Sequence, residues 1–332
     1  MSNASVLPGY LDPRIESLPP PPPAEGVLGD RIDGIIILVS AGDVYLAKAC
    51  CASIRRWMGD ISITLLVDGH RTDTSEVERL PNVHRLVAQD LMDEQSARSC
   101  TGFWVKLLVF WKSPYERFLY LDADTLVWGD VRAYAELDRY DFIAGFDCRR
   151  PRVFSTREEV ERFVYDVEYM EKRETPVRWA GKELANNGVF FARRGVFPRD
   201  VLLELRRLPC WRNYEQGVLN FLRWRAMDQG MPRVTGCRLQ YFPAEITYAQ
   251  EDRLIPRDLR HPAIVHWICK KPKLGRRYQA NDDYRRLFLT LTGRTRFQGL
   301  RLFWEDLGVW LGRHKRSLLG QKTHSEPLLT GK

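Results

Sequence analysis

An apolar run that ends in two closely spaced carboxylates is the feature that most constrains how this chain of 332 residues can fold. The run is Phe118–Leu121, and Asp122 and Asp124 follow it, separated by one alanine. Four apolar residues rich in aromatics are typical of a short buried strand, because a helix needs a longer periodic segment. The pattern therefore predicts a strand that delivers two acids to the carboxyl edge of a sheet, where open α/β sheets bind ligands.

The small residue between the acids lets both carboxylates turn toward one divalent cation. Hard cations such as Mg²⁺ favour carboxylate oxygens as ligands. A triplet of this kind also arises by chance, and acids at a strand end can instead cap the next helix. The buried strand before Asp122 and Asp124 favours the metal interpretation, because delivering two acids from a buried strand without a partner is costly. The triplet alone leaves both interpretations open.

Strand and helix patterns alternate between the start of the predicted domain and the acid pair. Apolar runs predict strands at 35–39, 61–67 and 117–121, with a weaker one near 83–87. Helical patterns follow residue 45, ending at about residue 57, and mark 103–111. Such alternation is typical of a doubly wound, mostly parallel sheet with helices on both faces. The later patterns predict strands at 141–146, 187–192 and 263–267, and helices at 157–171, 200–208 and 213–225.

The composition supports one large domain with atypical ends. Hydrophobic residues make up 44% of the chain, which is enough for a sizeable core and excludes global disorder. Residues 1–30 include the run Pro19–Pro23 and are predicted to form a flexible leader outside the fold. No change of composition interrupts the next stretch, so we predict a single domain at 31–292 and a basic C-terminal helix and tail at 293–332.

The seven cysteines predict neither a disulfide framework nor a zinc site, since their number is odd, C-x-x-C is absent, and Cys50 and Cys51 are adjacent. Reduced thiols therefore fit best. The chain also lacks an apolar stretch of about 18 residues and the apolar core of a signal peptide. These features lead us to expect a cytoplasmic protein.

The net charge of +8 lies mostly near the C-terminus, where residues 293–332 contain eight Lys or Arg and three acids. Such an excess suits an acidic partner: an anionic membrane, a nucleic acid or an acidic glycan. Phe297–Gly312, followed by the basic Arg313–Arg316, resembles an amphipathic interfacial helix, which suggests peripheral contact with the inner face of a membrane. A helix docked on the core is the alternative. Without a recognised reader motif, no nucleic-acid partner is expected.

Five further segments accompany the acid pair in a fixed order, at 39–45, 104–107, 186–191, 214–220 and 264–272. Together they resemble glycosyltransferase family 8, the group of glycogenin, galactinol synthase and bacterial lipopolysaccharide galactosyltransferases. The resemblance covers roughly residues 34–275. It implies a single α/β domain of the GT-A type, with a Rossmann-like, mostly parallel sheet flanked by helices. It also implies retaining transfer of a hexose, glucose or galactose, from a UDP-sugar to an unidentified glycan, lipid or protein acceptor.

The resemblance assigns a metal site. Asp122 and Asp124 match the pair that usually holds Mn²⁺ (or Mg²⁺), and His266 matches the third protein ligand. Lys270 or Lys271 matches a lysine that grips the diphosphate and stabilises the negative charge of the leaving group. Both lysines stay candidates, because the loop between His266 and Pro272 is one residue shorter than the family's and has a cysteine in place of its glycine.

The resemblance also assigns residues to the donor. Asp43 and Tyr45 match the loop that holds the uracil and ribose, Tyr45 by stacking on the base. Lys106 matches a lysine near the donor, and Asn186 and Asn187 match side chains that line the donor-sugar pocket.

Glu215 and Gln216 match an acid–glutamine pair under the transferred sugar, although the family's usual acid is Asp. With Lys106 they are the catalytic candidates, assigned to positioning and charge stabilisation. Sugar nucleotidyltransferases are disfavoured, because the loop Ser40–Asp43 after the first strand has one glycine and no basic residue. A catalytically silent nucleotide-sugar-binding or lectin-like protein on the same fold is the remaining alternative.

Overall fold

The computed structural model describes residues 32–94, 96, 100, 102–147, 152–173, 177–242, 263–267 and 279–318. The strands β1 to β9 are Gly34–Val39, Ile63–Val67, Val83–Val87, Arg117–Asp122, Thr125–Trp128, Phe142–Asp147, Val189–Arg193, Val234–Tyr241 and Ala263–His266. The α-helices α1 to α8 are Val44–Met58, Val109–Lys112, Arg157–Phe163, Val167–Arg173, Arg199–Arg206, Tyr214–Gln229, Gln279–Leu291 and Gln298–Leu318. Short 3₁₀ segments span Val77–Arg79, Ala88–Leu91, Gly102–Leu108 and Val131–Tyr134.

The nine strands form one sheet in the order β3-β2-β1-β4-β7-β6-β8-β9-β5. Strands β3, β2, β1 and β4 are mutually parallel, as are β6, β8 and β9, whereas β7 and β5 run antiparallel to their neighbours. Alternate residues of β1 enter opposite core layers: Ile35 and Ile37 pack with α1, and Ile36 packs in the layer that contains α6. The predicted α/β fold with a mostly parallel sheet is confirmed.

The position of β5 requires the sheet to curl. Only Ala123 and Asp124 separate β4 from β5 in the chain, yet four strands separate them in the sheet. The far end of the sheet must therefore bend back until β5 and β9 lie beside the end of β4. Register pairs Thr125 of β5 with His266 of β9, and the N–H of Trp267 donates to the carbonyl of Asp124 at 3.0 Å. The curl thus brings His266 next to Asp122 and Asp124.

The predicted helix at 157–171 is wrong as a single element, because the chain forms α3 and α4 there. Between them, Tyr165 makes an isolated β-bridge to Trp211, and the Asp166 carboxylate accepts the N–H of Tyr169 at 2.9 Å. A long-range contact and a new N-terminal cap therefore interrupt a segment whose periodicity is continuous. Elements β5, β8 and α7 have no counterpart among the predicted ones.

Helix α8 turns charged side chains toward the core and an apolar stripe toward solvent. Glu305 binds both Lys48 of α1 and Arg285 of α7, and Arg285 also contacts Asp306 at 2.9 Å. Burial alone would raise the pKa of Glu305, but the two cations outweigh burial and lower it. The apolar side chains that stay exposed are Leu300, Phe303, Trp304, Trp310 and Leu311. Within the described ranges, no helix is both long and apolar enough to cross a membrane.

The predicted leader at 1–30 and the residues beyond 318 lie outside the described residues. The division of the chain into leader, domain and basic tail therefore stays a prediction.

Candidate functional site

The three side chains predicted as metal ligands meet at the carboxyl edge of β4. One ligand atom from each of Asp122, Asp124 and His266 lies within 4.8 Å of the other two. The Nε2 atom of His266 is 3.4 Å from Oδ1 of Asp124 and 3.9 Å from Oδ2 of Asp122. His266 and Asp124 are buried, whereas the Asp122 side chain keeps 26% of its surface exposed. The cluster therefore has a closed side in the protein and an open side that a ligand can approach.

The donor set of this cluster fits a hard divalent cation. Two carboxylates supply oxygen ligands, which suit Mn²⁺ and Mg²⁺, and one imidazole nitrogen completes a three-residue set. Three protein ligands leave further positions for oxygens of a bound molecule.

Gly188 brings the backbone into contact with two of these ligands. Its carbonyl accepts the N–H of Asp122 at 2.8 Å. A Cβ atom at this position would lie 2.2 Å from Cε1 of His266 and 2.6 Å from Oδ2 of Asp122. Both distances are far below van der Waals contact, so a side chain at position 188 would displace the metal ligands.

Lys106 connects the cluster of predicted metal ligands to the predicted catalytic pair. Its Nζ atom lies 3.2 Å from Oδ1 of Asp122 and 3.2 Å from Oε1 of Glu215. The side chains of Lys106 and Glu215 are both buried. Burial alone would lower the pKa of Lys106, but the charges of Asp122 and Glu215 outweigh burial and raise it. Burial raises the pKa of Glu215, against the opposing effect of Lys106.

Tyr120 supports the same carboxylate from within β4. Its hydroxyl donates to Oδ1 of Asp122 at 2.7 Å, and Nζ of Lys106 lies 5.3 Å from the centre of its ring. Burial, reinforced by the charge of Asp122, raises the pKa of Tyr120 well above its usual value. The phenol therefore stays protonated and acts as a donor that orients Asp122.

The loop before β7 is fixed by the N-terminal half of α6. Asn220 uses both ends of its amide, donating to the carbonyl of Ala185 and accepting its N–H, each at 2.9 Å. Asn187, which is buried, donates to the carbonyl of Gln216 at 3.3 Å. The predicted sugar-pocket segment and the predicted acid–glutamine segment are thus direct neighbours.

A solved glycosyltransferase shares the architecture of this chain. The bifunctional glycosyltransferase WbbM, in its apo form, superposes with a TM-score of 0.50 at 14% identity, over 81% of this chain and 52% of WbbM. The fold is that of a glycosyltransferase. This chain spans about half (52%) of the length of WbbM. No protein-family model matches the sequence, and no curated protein sequence matches it.

Two other glycosyltransferases superpose over most of this chain. The galactosyltransferase LgtC, in complex with donor and acceptor sugar analogues, gives a TM-score of 0.44 at 17% identity, over 78% of this chain and 95% of LgtC. GlyE from Streptococcus pneumoniae TIGR4 gives 0.48 at 13% identity, over 78% of this chain and 63% of GlyE. The superposition on WbbM confirms the predicted GT-A-type fold.

The glycosyltransferase fold places the other predicted donor residues as follows. Asp43 follows β1 at the carboxyl edge of the sheet, beside β4, because Leu38 of β1 pairs with Asp122. The carboxylate of Asp43 accepts a hydrogen bond from the Ser40 hydroxyl at 2.6 Å. Tyr45 is buried, with the guanidinium of Arg285 5.5 Å from its ring centre. Its predicted stacking on a base stays a prediction. Lys270 and Lys271 lie outside the described residues.

Four residues of the site were missed by sequence reasoning: Tyr120, Gly188, Asn220 and Gln240. Tyr120, Gly188 and Asn220 lie within the strand and motif segments identified in the sequence. Nothing in the local sequence distinguishes them from residues that only pack in the core. Gln240 lies on β8, which no pattern predicts, and its Oε1 is 2.8 Å from Nδ1 of His266. It could be found only from the three-dimensional pairing of β8 with β9.

Proposed function

We propose that this protein is a metal-dependent, retaining glycosyltransferase that moves a hexose, glucose or galactose, from a UDP-sugar to an acceptor. The observation that carries the proposal is the cluster of Asp122, Asp124 and His266 beside the buried Lys106–Glu215 pair, on a glycosyltransferase fold. A metal site suits the charged diphosphate of such a substrate, and the neighbouring Lys106–Glu215 pair suits its neutral sugar.

In this proposal each side chain has a defined task. Asp122, Asp124 and His266 would hold Mn²⁺ or Mg²⁺, which when bound neutralises the diphosphate charge that develops as the glycosidic bond breaks. Lys270 or Lys271 adds positive charge at the same group. Glu215 and Gln216 stabilise and position the sugar from below, and Lys106 holds Glu215 at 3.2 Å. Asn186, Asn187, Asp43 and Tyr45 orient the donor.

A panel of UDP-hexoses tests this proposal against a catalytically silent binder. Purified protein with Mn²⁺ is incubated with UDP-glucose and, separately, UDP-galactose, and slow UDP release without acceptor is scored. We expect release from one of the two donors, abolished by EDTA. A silent binder would bind UDP in calorimetry yet release none from either donor, and that result would contradict the proposed activity.

The Lys106–Glu215 pair predicts a large stability effect. Replacing Lys106 by Met removes the cation and leaves the Glu215 carboxyl group buried beside Asp122, so we expect a loss of about 3–5 kcal/mol of unfolding free energy, measured by urea denaturation. The double variant Lys106→Met/Glu215→Leu should recover most of the loss, because the uncompensated acid is then gone. Equal stabilities for the single variant and the unmodified protein would disprove the pairing.

We further propose that α8 places the protein on the surface of an anionic membrane. The supporting observation is its inverted arrangement, in which Glu305 and Asp306 are bound to the core while Phe303 and Trp304 are exposed. Exposed aromatics on a helix rich in basic residues suit the interface between headgroups and acyl chains. A cytoplasmic location, on the inner face of such a membrane, stays a prediction.

Vesicle sedimentation tests the membrane proposal. We expect the full chain to sediment with phosphatidylcholine vesicles that contain phosphatidylserine, and much less with phosphatidylcholine alone. The variant Phe303→Ser/Trp304→Ser should remain in the supernatant. Met227→Ser, which removes an exposed apolar residue on α6, is the matched control and should sediment as the unmodified protein does. Identical sedimentation of all three would show that α8 makes no such contact.

A further inference from the structure

The ring of His266 has two nitrogens with different surroundings. Nε2 faces the carboxylates, 3.4 Å from Oδ1 of Asp124, and Nδ1 lies 2.8 Å from Oε1 of Gln240 on β8. Gln240 has no exposed surface and His266 is 3% exposed. A neutral imidazole carries one proton on one of these two nitrogens, and only the nitrogen without it can bind a cation. Which nitrogen carries the proton therefore decides whether the cluster can bind a cation through His266.

The hydrogen bonds of Gln240 determine the answer. Its Nε2 atom donates to the carbonyl oxygens of Gly145 at 2.8 Å and Asn186 at 2.7 Å. Carbonyl oxygens only accept, so the NH₂ end of the amide must point at them, and the oxygen end must point at His266. An oxygen without a proton cannot donate to Nδ1. In the neutral imidazole the proton is therefore on Nδ1, and Nε2 presents its lone pair to Asp122 and Asp124.

The two carboxylates by themselves favour the opposite arrangement. A carboxylate 3.4 Å from Nε2 would accept a proton from that nitrogen, and a protonated Nε2 cannot bind a cation. Gln240 prevails because its amide cannot rotate without losing two hydrogen bonds to buried backbone carbonyls, and buried polar groups left unsatisfied are costly. Gln240 thus keeps Nε2 of neutral His266 free of a proton, although the carboxylates of Asp122 and Asp124 favour a proton there.

We propose that Gln240 is a positioning residue of the metal site, which holds His266 in the tautomer whose Nε2 is free to bind a divalent cation. The cation itself rests on the proposed function, whereas the tautomer is a property of the protein alone. Partners of this kind typically change metal affinity by about 10- to 100-fold when they are lost.

Nitrogen NMR on protein labelled with ¹⁵N-histidine reads the tautomer directly. The chain contains six histidines, and the signal missing from the variant His266→Gln identifies the ring. In metal-free protein at alkaline pH, we expect the proton on Nδ1 in the unmodified chain and on Nε2 in Gln240→Met. Gln240→Glu keeps an oxygen toward Nδ1 and should keep the original tautomer. A proton on Nε2 in the unmodified chain would overturn the proposal.

Two further measurements separate positioning from simple structural support. Mn²⁺ binding, followed by electron paramagnetic resonance, should weaken about 10- to 100-fold in Gln240→Met and less in Gln240→Glu. A purely structural role predicts that both variants lose affinity equally, because both lose donors to the carbonyls of Gly145 and Asn186. Gln298→Met, which removes a buried glutamine from α8, is the matched control and should bind Mn²⁺ normally.

The outcomes distinguish failure of this proposal from failure of the proposed function. If the unmodified protein binds no Mn²⁺, the proposed function fails, while the NMR result still decides the tautomer. If Gln240→Met, Gln240→Glu and Gln298→Met all bind Mn²⁺ with the affinity of the unmodified protein, the metal site stands and the role of Gln240 is refuted.

Discussion

Replacing Asp124 by Asn should abolish metal-dependent UDP release while leaving the fold intact. The substitution removes the negative charge from one of three ligands, and a bound metal ion contributes several kcal/mol to such a reaction, which corresponds to at least about 100-fold in rate. The fold should survive, because the main-chain carbonyl of this residue, which accepts the N–H of Trp267, is unchanged by the substitution. The assay is UDP release from the preferred UDP-hexose, with circular dichroism to check folding.

Asp138→Asn is the matched control for this variant. The Asp138 side chain is 83% exposed and lies outside the site, so the same chemical change there should leave the rate unaltered. Undiminished turnover in Asp124→Asn, with the control also active, would rule out the metal assignment.

Replacing Gly188 by Ala should disable the same site by a different route. The added methyl group would sit 2.2 Å from the ring of His266 and 2.6 Å from the carboxylate of Asp122. Neither neighbour can yield easily, since His266 is held by Gln240 and the Asp122 carboxylate is held by Tyr120. We expect overpacking to cost about 1–3 kcal/mol of stability. The misplaced ligands should lower UDP release by about 100-fold.

Gly308→Ala isolates the effect of position from that of the methyl group. A Cβ atom there meets open space on α8, so UDP release should stay as it is in the unmodified protein. Stability should not fall, because alanine is more favourable than glycine inside a helix. If Gly188→Ala retains full Mn²⁺ binding, the close approach of its backbone to the ligands is unimportant.

Local patterns were sufficient to predict the half of the fold that ends in the acid pair. Strands β1, β2 and β4 are almost entirely apolar and buried, and β1 pairs in parallel with both of the others. Their pattern is visible because both faces of such strands are buried. The acids at the end of β4 follow from the same pattern.

The rest of the site depends on pairings between distant segments. His266 is an ordinary histidine at a strand end unless the sheet curls, and the curl follows from the pairing of β5 with β9. Only the family resemblance pointed to this residue in the sequence. Gln240 carries no motif at all, since its role depends on three hydrogen bonds from different segments. The predicted helix at 157–171 failed for a related reason, because Tyr165 bonds to a residue far along the chain.

Calorimetric titration of UDP, with and without Mn²⁺, tests the central claim most directly. We expect UDP to bind the unmodified protein in the presence of Mn²⁺ and far more weakly after EDTA treatment. We expect the affinity of Asp124→Asn for UDP to be the same with and without Mn²⁺. UDP binding of equal strength with and without Mn²⁺, or no binding in either condition, would contradict the claim that Asp122, Asp124 and His266 form the metal centre of a nucleotide-sugar site.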